Sequence, residues 1–395
     1  MPEGGLVVGQ SGGPTQVINS SLVGVIEEAV RHKEITGVYG SLRGITGVLN
    51  DNFVDLARES KETLALLRRT PGAALGTVRH RLEPDDYERI VKVLSAYDVR
   101  FFCYIGGNDS METAHKVHLA AQEMGYELRA IGVPKTVDND LAHTDHCPGY
   151  GSAARFVALA VRDSGWDTES MGPSSPVKII EVMGRNAGWL TAAAALGRQA
   201  QGDPPHLIYV PERLVDDDRV VRDVDRVVAE REHCVIALSE GAVPDTGLHE
   251  VDAFGHGMKG RAAEYLASLI RQRLKLKVRL DRPNYLQRSF CLSMSEVDAE
   301  EAYRVGRSAV QLAVDGQGDV MVTLERTLGE RYHCDTGTVA LSEVANAEKL
   351  LPDEYINEEG NDVTAAFLDY ARPLIGEPLP RLGRLQGFPV LAQSR

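Results

Sequence analysis

The sequence is poor in cysteine and has no long apolar run. Its five cysteines are scattered and never form a Cys-x-x-Cys pair. This spacing disfavours a disulfide framework or a zinc site and favours a reducing, cytoplasmic setting. The longest apolar runs fall well short of a membrane span, and the N-terminus lacks the basic, apolar and small-residue succession of a signal peptide. We therefore expect no membrane association.

Positive charge is outnumbered by negative charge. The 395 residues carry a formal net charge of -14 at pH 7. This excess disfavours a general nucleic-acid binder. It does not exclude phosphate ligands, because a few arginines can reverse the field inside a cleft.

Short β-branched runs alternate with longer amphipathic stretches, which is typical of an α/β protein. At 395 residues the chain is long for one hydrophobic core, so we expect two α/β domains. The predicted strands are Leu6–Val8, Gly37–Tyr39, Phe101–Ile105, Ala130–Val133, Val177–Val182, Leu207–Val210, Val235–Leu238 and Val320–Leu324. The predicted helices are Ser20–Arg31, Glu59–Arg69, Pro84–Ala96, Ser110–Met124, Gly151–Arg162, Ala187–Leu196, Asp217–Glu232, Lys259–Leu274 and Ala299–Val314. The end of the chain, from Pro373 to Arg395, is expected to wrap over the surface.

The segment Pro134-Lys135-Thr136-Val137-Asp138-Asn139-Asp140 is the most informative part of the sequence. It follows an apolar run typical of a buried parallel strand, and ligands of open α/β sheets bind beyond the carboxyl ends of such strands. The segment therefore places a base, a second carboxylate and a cation where a polyanionic ligand would bind. That combination suits phosphoryl transfer, in which positioning and charge neutralisation supply most of the catalysis.

Two glycine-rich turns follow other predicted strands. The turn Gln10-Ser11-Gly12-Gly13-Pro14-Thr15 is neither a GxGxxG nor a Walker motif, so a tight strand-to-helix turn explains it equally well. The turn Gly106-Gly107-Asn108-Asp109-Ser110 is more specific. A helix cap accounts for Ser110 or Asp109 alone, whereas the whole group favours backbone binding of a phosphate.

Charged residues follow three further turns or strands. Arg79 comes after a glycine turn, Arg185 after a strand and Gly184, and Glu240 after another strand. An arginine at a strand end can present a bidentate fork to a phosphoryl group, and a carboxylate there can accept a hydrogen bond from a sugar hydroxyl. Each of these residues could equally be an ordinary loop or ion-pair residue.

A cationic cluster lies later in the chain. It comprises Arg279, Arg282, Tyr285, Gln287 and Arg288. Within an acidic chain, such a cluster suggests a phosphate-bearing substrate. A salt-bridge cluster between domains or subunits is the alternative.

Taken together, these segments resemble the phosphofructokinase family in its diphosphate-dependent branch. The resemblance extends from about Gly5 to about Arg288 and rests on Pro-Lys-Thr-Val-Asp-Asn-Asp and on Glu-Val-Met-Gly-Arg followed by Tyr-Leu-Gln-Arg. It implies two Rossmann-like, three-layer α/β/α domains with the active site in the cleft between them. Residues 1–152 with about 289–335 would bind the phosphoryl donor, and residues 153–288 with about 336–395 would bind the sugar phosphate.

The resemblance implies a role for each matched residue. Asp138 would be the general base that takes the proton from the 1-hydroxyl of fructose 6-phosphate, and Arg185 would stabilise charge in the transition state. Thr136 and Asp140 would orient the transferring phosphate and its Mg²⁺. The donor site would consist of Gly12, Arg79, Gly107, Asn108 and Ser110. The sugar-phosphate site would add Met183, Gly184, Arg185, Glu240, Arg279, Tyr285 and Arg288.

Within the family that the sequence resembles, the residues at two positions distinguish ATP from diphosphate as the phosphoryl donor. Relatives that use ATP have glycine at the positions of Asp109 and Lys135, and the acid–lysine pair is associated with diphosphate users. The two side chains would fill the space that glycine leaves for the α-phosphate of a nucleotide, and Lys135 would also stabilise the leaving phosphate. A third position, Asn108, replaces an aspartate that contributes to magnesium binding in many relatives, although an amide oxygen can also coordinate Mg²⁺.

The resemblance therefore implies a cytoplasmic, Mg²⁺-dependent homodimer that reversibly converts fructose 6-phosphate and diphosphate to fructose 1,6-bisphosphate and phosphate in glycolysis and gluconeogenesis. The alternatives are an ATP-dependent phosphofructokinase and a diphosphate-dependent kinase of another sugar phosphate, such as sedoheptulose 7-phosphate. A nicotinamide dehydrogenase is disfavoured because the GxGxxG fingerprint is missing. A non-catalytic sugar-phosphate sensor is disfavoured by the retained Asp138, Asp140 and Arg185.

Overall fold

The computed structural model contains two main sheets. It describes residues 2–78, 80–244, 262–327, 329, 331–345 and 347–387, together with the backbone of 250–251 and 257–258. The strands are β1 (Gly4–Gln10), β2 (Ile35–Ser41), β3 (Phe53–Asp55), β4 (Val99–Gly106), β5 (Arg129–Pro134), β6 (Val177–Val182), β7 (Leu207–Tyr209), β8 (Cys234–Ser239), β9 (Glu250–Val251), β10 (Gly257–Met258), β11 (Val278–Asp281), β12 (Val320–Arg326) and β13 (Cys334–Ala340). The helices are α1 (Ile18–Ala29), α2 (Ile45–Leu49), α3 (Lys61–Leu67), α4 (Pro84–Ala96), α5 (Asn108–Glu123), α6 (Tyr150–Met171), α7 (Trp189–Ala192), α8 (Asp217–Arg231), α9 (Ala262–Leu274), α10 (Glu296–Val314), α11 (Leu341–Val344) and α12 (Ala365–Ala371).

The two main sheets are built on parallel strands. The larger sheet has the order β13-β12-β5-β4-β1-β2-β3, with antiparallel pairing only where β3 and β13 form its edges. The smaller sheet has the order β11-β6-β8-β7 and is parallel throughout. Strands buried on both faces account for the continuous apolar runs in the sequence. Each predicted strand overlaps an observed strand, whereas β3, β11 and β13 of these sheets, and the short pair β9 and β10, are absent from the prediction.

Each main sheet is the middle of three layers. In the larger sheet, Leu6 packs with α1 and α10, while its neighbour Val7 packs with α4 and α5 on the opposite face. In the smaller sheet, Ile179 packs with α8 and α9, and Ile180 packs with α6 and α7. Successive side chains of a strand point to opposite faces, so both faces of each sheet are buried. This architecture confirms the predicted α/β fold class.

Helices α1 and α10 cross in close contact on one face of the larger sheet. A Cβ at Gly24 would overlap the carbonyl oxygen of Tyr303, and a Cβ at Gly306 would overlap the carbonyl oxygen of Ser21. Glycine at these two positions therefore lets the two helix backbones touch.

The N-terminal end of α10 reaches the smaller sheet through α6. The buried carboxylate of Asp298 accepts hydrogen bonds from the backbone N–H groups of Gly149 and Ser152, at 2.8 and 2.9 Å. An acidic side chain satisfies the free N–H groups at the start of a helix and is favoured by the helix dipole. Helix α10 thus joins the larger sheet to the first turn of a helix that packs on the smaller one.

The C-terminal region packs first on the larger sheet and then on the smaller one. Strand β13 pairs with β12, and α11 lies in the same core as α5, whereas α12 lies in the core shared with α6 and α7. The chain therefore stays with the larger sheet through Val344, beyond the predicted crossing near residue 336. Farther on, Arg155 and Arg162 of α6 donate to the carbonyl oxygens of Ile375 and Pro380, at 2.9 and 2.8 Å. The described part of the chain end, to residue 387, lies along α6; residues 388–395 fall outside the described part.

The five cysteines, all within the described residues, are free thiols. Four of them are buried, and burial raises the pKa of Cys103 to about 12. Such cysteines act as small apolar core residues rather than as nucleophiles. Across the described residues, no helix combines the length and the apolar character needed to span a membrane.

Candidate active site

A cleft opens between the carboxyl ends of the two main sheets. Its volume is about 450 Å³. One wall consists of the turns that follow β1, β4 and β5, and the other consists of the turns that follow β6 and β8. Arg288 and residues 347–348 complete the lining. Ligands of parallel α/β sheets bind at such strand ends, so the cleft is the candidate site.

The cleft brings together most of the predicted site residues, although they are far apart in the sequence. Those that line it are Gly12, Gly107, Asn108, Asp109, Ser110, Lys135, Thr136, Asp138, Asp140, Met183, Arg185, Glu240 and Arg288. Gly184 lies between two lining residues, and its N–H donates to Glu240 Oε1 at 3.4 Å. Arg79 falls outside the described residues.

The first glycine turn brings two cationic side chains to the cleft. Gly12 has a φ of +72°, which favours glycine, and a Cβ there would lie 3.2 Å from Lys135 Nζ. The same Nζ donates to the carbonyl oxygen of Gly13 at 2.8 Å. A Cβ at Gly13 would overlap the guanidinium of Arg288. Because Gly12 and Gly13 have no side chain, the Lys135 ammonium fits on one side of the turn and the Arg288 guanidinium on the other.

The second glycine turn leads directly into a helix. Gly107 occupies the N-cap position and α5 begins at Asn108, with no hydrogen bond from a capping side chain. The alternative in which Ser110 or Asp109 caps this helix is therefore wrong, because both lie inside its first turn. The N–H groups of that turn lie at the cleft, and such groups bind phosphate. Asp109 is exposed, whereas Ser110 is buried.

The acidic segment forms a loop that returns to its own start. The backbone N–H of Asp138 donates to Thr136 Oγ1 at 3.1 Å, and Thr136 forms an isolated bridge with Gly149. Asn139, between the two carboxylates, has a φ of +58° and is fully buried. Its Oδ1 accepts from the N–H of Cys147 at 2.9 Å. The loop 136–149 is thus closed by its own side chains.

The electrostatic environment of the loop favours a base that titrates near neutrality. Burial, together with the carboxylates of Asp140 and Glu240, raises the pKa of Asp138 to about 7, although Lys135 and Arg288 oppose the rise. Burial also raises the pKa of Asp140, against a hydrogen bond from Thr136 and the charge of Lys135. A general base works best when its pKa lies near the operating pH.

Oxygen donors suited to Mg²⁺ line the same cleft. The side-chain oxygen of Asn108 is buried and has no hydrogen-bond donor among the described residues. A buried acceptor without a donor is costly unless a ligand satisfies it. With the carboxylates of Asp138 and Asp140, it gives the cleft the hard oxygen ligands that Mg²⁺ prefers. These residues therefore fit a divalent cation.

The turn after β6 is fixed by side chains from two other segments. The N–H of Met183 donates to Gln287 Oε1 at 3.2 Å. A Cβ at Gly241 would overlap the carbonyl oxygen of Arg185, so the two turns touch through their backbones. These contacts hold the Arg185 side chain at the cleft. The sequence places Gln287 in the cationic cluster, but its role in shaping the turn depends on the fold.

Arg279 and Tyr285 do not line this cleft. Arg279 lies on the edge strand β11 and pairs with Asp167, with 3.2 Å between Nη1 and Oδ2. The Tyr285 side chain is 63% exposed, and the Arg288 guanidinium lies 4.3 Å from the centre of its ring. Of the cationic cluster, therefore, Arg288 alone among the described residues reaches the cleft, and Tyr285 supports it from outside.

The sequence reasoning missed the C-terminal contribution to the cleft. Glu348 lines it beside Arg185, and Asn186 Nδ2 donates to Glu348 Oε2 at 3.2 Å. Burial raises the pKa of the Glu348 carboxyl. The next residue, Lys349, donates its backbone N–H to the carbonyl oxygen of Asp140 at 2.7 Å. These residues follow the short helix α11 rather than a strand, so local pattern gives no signal for them.

A cleft between two three-layer α/β units, lined by glycine turns, a base and cations, defines a phosphoryl-transfer enzyme. A family model described as Phosphofructokinase matches residues 5–313. The chain belongs to this family, which confirms the resemblance seen in the sequence.

Relatives and solved structures match nearly the whole chain. The chain is 43% identical over 384 residues to the pyrophosphate–fructose 6-phosphate 1-phosphotransferase of Halomonas elongata, covering 94% of this chain and 92% of that protein. It is 35% identical over 357 residues to a sulfofructose kinase of Alkalicoccus urumqiensis, covering 89% and 92%. The crystal structure of a pyrophosphate-dependent phosphofructokinase from Marinobacter aquaeolei matches with a TM-score of 0.87 and 39% identity, covering 99% and 98%.

Proposed function

We propose that the protein transfers a phosphoryl group from diphosphate to the 1-hydroxyl of fructose 6-phosphate, giving fructose 1,6-bisphosphate and phosphate. The observation that carries the proposal is the position of Asp138, a carboxylate whose pKa is raised to about 7, in a cleft shared with Lys135 and Arg185. The similarity to a pyrophosphate–fructose 6-phosphate 1-phosphotransferase supplies the donor and the acceptor. Diphosphate carries less driving force than ATP, so the reaction should run in both directions.

Residues of the cleft account for removal of the hydroxyl proton and for stabilisation of the charge on the phosphoryl groups. Asp138 takes the proton of the 1-hydroxyl, whose oxygen attacks the terminal phosphorus of diphosphate. Arg185 stabilises the charge on the transferring group, because a guanidinium fork matches two phosphoryl oxygens. Lys135 lies on the opposite wall and stabilises the phosphate that leaves.

The metal site that we propose uses the oxygens that fit a divalent cation. Asn108 and Asp140 would hold Mg²⁺, and Thr136 would orient the phosphate beside it. When bound, Mg²⁺ supplies charge neutralisation on the phosphoryl oxygens. Asp140 needs no proton transfer for this role, which leaves Asp138 as the base.

The sugar phosphate would lie against the smaller sheet. Glu240 accepts from sugar hydroxyls, Met183 and Gly184 form the floor, and Arg288 binds the 6-phosphate with Tyr285 stacked behind it. The role predicted for Arg279 has no support from the cleft, because Arg279 does not line it. Arg79 lies outside the described residues, and Arg279 is engaged with Asp167 on the edge strand.

The donor site would take its phosphates on the two glycine turns. Gly12, Gly107 and Ser110 offer backbone and hydroxyl donors, and Asp109 and Lys135 occupy the space beyond. Lys135 is only 3% exposed and donates a hydrogen bond to Gly13, so moving it aside to admit a third phosphate would cost that hydrogen bond. This cost supports diphosphate over ATP.

A coupled assay with purified protein and Mg²⁺ tests the proposal. Diphosphate and ATP are compared as donors, with fructose 6-phosphate, sedoheptulose 7-phosphate and 6-deoxy-6-sulfofructose as acceptors. We expect the highest kcat/KM for diphosphate with fructose 6-phosphate. A clear preference for ATP would overturn the donor assignment, and a clear preference for another acceptor would overturn the sugar assignment.

We also propose that the protein is a cytoplasmic homodimer whose two sheets form donor-binding and sugar-binding parts. Segment 285–292 supports the dimer, because it exposes Leu286 at 57% and Leu292 at 84% beside the sugar-phosphate side of the cleft. Light scattering of the purified protein tests the subunit count. A monomer at micromolar concentration would exclude the dimer.

A further inference from the structure

Two side chains from the C-terminal region contact the acidic loop of the cleft. The family match ends at residue 313, whereas these side chains belong to Lys349 and Tyr370. Lys349 lies in the segment after α11, and Tyr370 lies in α12. Neither side chain lines the cleft itself. Any influence on the reaction must therefore pass through the loop.

Lys349 binds both arms of the loop. Its backbone N–H donates to the carbonyl oxygen of Asp140 at 2.7 Å. Its ammonium group donates to the carbonyl oxygens of Thr144 and Asp145, at 3.0 and 2.8 Å. One residue thus ties the acidic end of the loop to its returning end. Lys349 is in turn bound by Trp189, whose indole Nε1 donates to the Lys349 carbonyl oxygen at 3.0 Å.

Tyr370 binds the same two arms through a single hydroxyl group. The hydroxyl oxygen accepts from Asn139 Nδ2 at 2.9 Å, and its hydrogen is donated to the Asp145 carbonyl oxygen at 2.8 Å. Asn139 separates Asp138 from Asp140 in the sequence and has a φ of +58°. A residue other than glycine keeps such a conformation only when its surroundings hold it there. Tyr370 therefore acts on the residue that sets the direction of both carboxylates.

We propose that Lys349 and Tyr370 are positioning residues for phosphoryl transfer, which hold the loop 136–149 so that Asp138 faces the acceptor hydroxyl. The proposal rests on the function proposed above for Asp138. A displacement of about 1 Å at a reacting group can lower the rate by about 100-fold, so two contacts that fix the loop matter even though neither touches substrate. Substrate affinity depends instead on Arg288, Glu240 and the glycine turns.

The chain offers a matched control for Tyr370. Tyr355 belongs to the same aromatic cluster, with 5.5 Å between the two ring centres. Residues 136–149 are all described, and the Tyr355 hydroxyl makes no hydrogen bond to any of them. Tyr355→Phe therefore removes a hydroxyl from the cluster without touching the loop. Tyr370→Phe keeps the packed ring and removes both loop contacts.

The kinetic test compares wild type, Tyr370→Phe, Lys349→Met and Tyr355→Phe with diphosphate and fructose 6-phosphate. For Tyr370→Phe and Lys349→Met we expect kcat to fall by about 10–100-fold, with both KM values within about threefold of wild type. For Tyr355→Phe we expect kcat within about twofold of wild type. A kcat of Tyr370→Phe equal to that of Tyr355→Phe would overturn the proposal, as would a loss confined to KM.

Hydrogen exchange supplies a readout that does not depend on activity. Without substrates, peptides covering 136–149 should exchange faster in Tyr370→Phe and Lys349→Met than in wild type, and at the wild-type rate in Tyr355→Phe. Faster exchange with an unchanged kcat would overturn the proposal, because it would show that these contacts hold the loop without affecting catalysis. If Lys349→Met does not fold, Tyr370→Phe decides alone. If the wild type is inactive with every donor and acceptor, the proposed function is refuted. The exchange rates would still show whether Lys349 and Tyr370 hold the loop.

Discussion

Replacing Asp138 with asparagine should lower activity and raise stability in the same variant. Asparagine keeps the size of the side chain but cannot take a proton, so kcat should fall by about 10²–10⁴-fold, the usual contribution of a general base. In the wild type, kcat/KM should rise with pH through about 7, because Asp138 must be ionised to act and its pKa lies there.

The expected gain in stability follows from the same pKa. The pKa of Asp138 is raised from 3.8 to about 7, so the folded chain holds this proton more tightly than the unfolded chain does. Stability is therefore lost as pH rises from about 4 to about 7, and the cost is complete above about 7. The full linkage is about 4 kcal/mol, at about 1.4 kcal/mol for each pH unit. Because the Asp138 side chain is not fully buried, water screens part of the interaction, and we expect a gain of about 1–2 kcal/mol for the asparagine variant at pH 8.

Urea unfolding at pH 8 and pH 5, alongside the coupled assay, measures both effects. The gain in unfolding free energy should be larger at pH 8 than at pH 5. Asp145→Asn is the matched control, because a hydrogen bond from His146 lowers the pKa of Asp145 against the effect of burial. That control should lose stability at pH 8. Near-wild-type turnover in Asp138→Asn would show that Asp138 is not the general base. A variant less stable than wild type at pH 8 would contradict the stability gain expected from the raised pKa of Asp138.

Other substitutions test the donor pair, the first glycine turn and the metal site. Asp109→Gly combined with Lys135→Gly should lower kcat/KM for diphosphate and raise the relative use of ATP. Because water screens the charge of the exposed Asp109, the space left by the two side chains should account for most of the change. An unchanged donor ratio would contradict the steric explanation. Gly13→Ala should displace the Arg288 guanidinium and raise the KM for fructose 6-phosphate by about tenfold, the value of one charge-assisted hydrogen bond, with melting temperature as the control. Asn108→Ala should raise the Mg²⁺ concentration for half-maximal rate by about tenfold, and an unchanged Mg²⁺ titration would exclude Asn108 as a ligand.

The parts of the fold that could be predicted are those with a local signal. Strands such as β4 and β5 are buried on both faces and leave continuous apolar runs, and the residues after them fall at the cleft because parallel strands end at one edge. Strand β13 lacks this signal, since as an antiparallel edge strand it is half exposed and polar. The prediction therefore has no strand after Val320–Leu324, although Cys334–Ala340 form one.

The parts of the site that could not be predicted depend on contacts between distant segments. Lys349 and Tyr370 act through hydrogen bonds to a loop some two hundred residues away, and no periodicity encodes such pairs. Arg279 depends on such a contact too. The sequence shows a cation near a phosphate motif, whereas in the structure Arg279 lies on β11 opposite Asp167 of α6 and does not line the cleft.

The glycine contact between α1 and α10 has a mechanical consequence. Because the two backbones touch at Gly24 and Gly306, these helices and the larger sheet form one closely packed body. Asp298, at the end of that body, grips the first turn of α6, whose remaining length belongs to the other half of the molecule. A relative motion of the two halves would therefore either keep or break the hydrogen bonds that Asp298 accepts from Gly149 and Ser152. Because Gly149 is also the last residue of the loop 136–149, the contact between the two halves and the loop that carries the base share one residue.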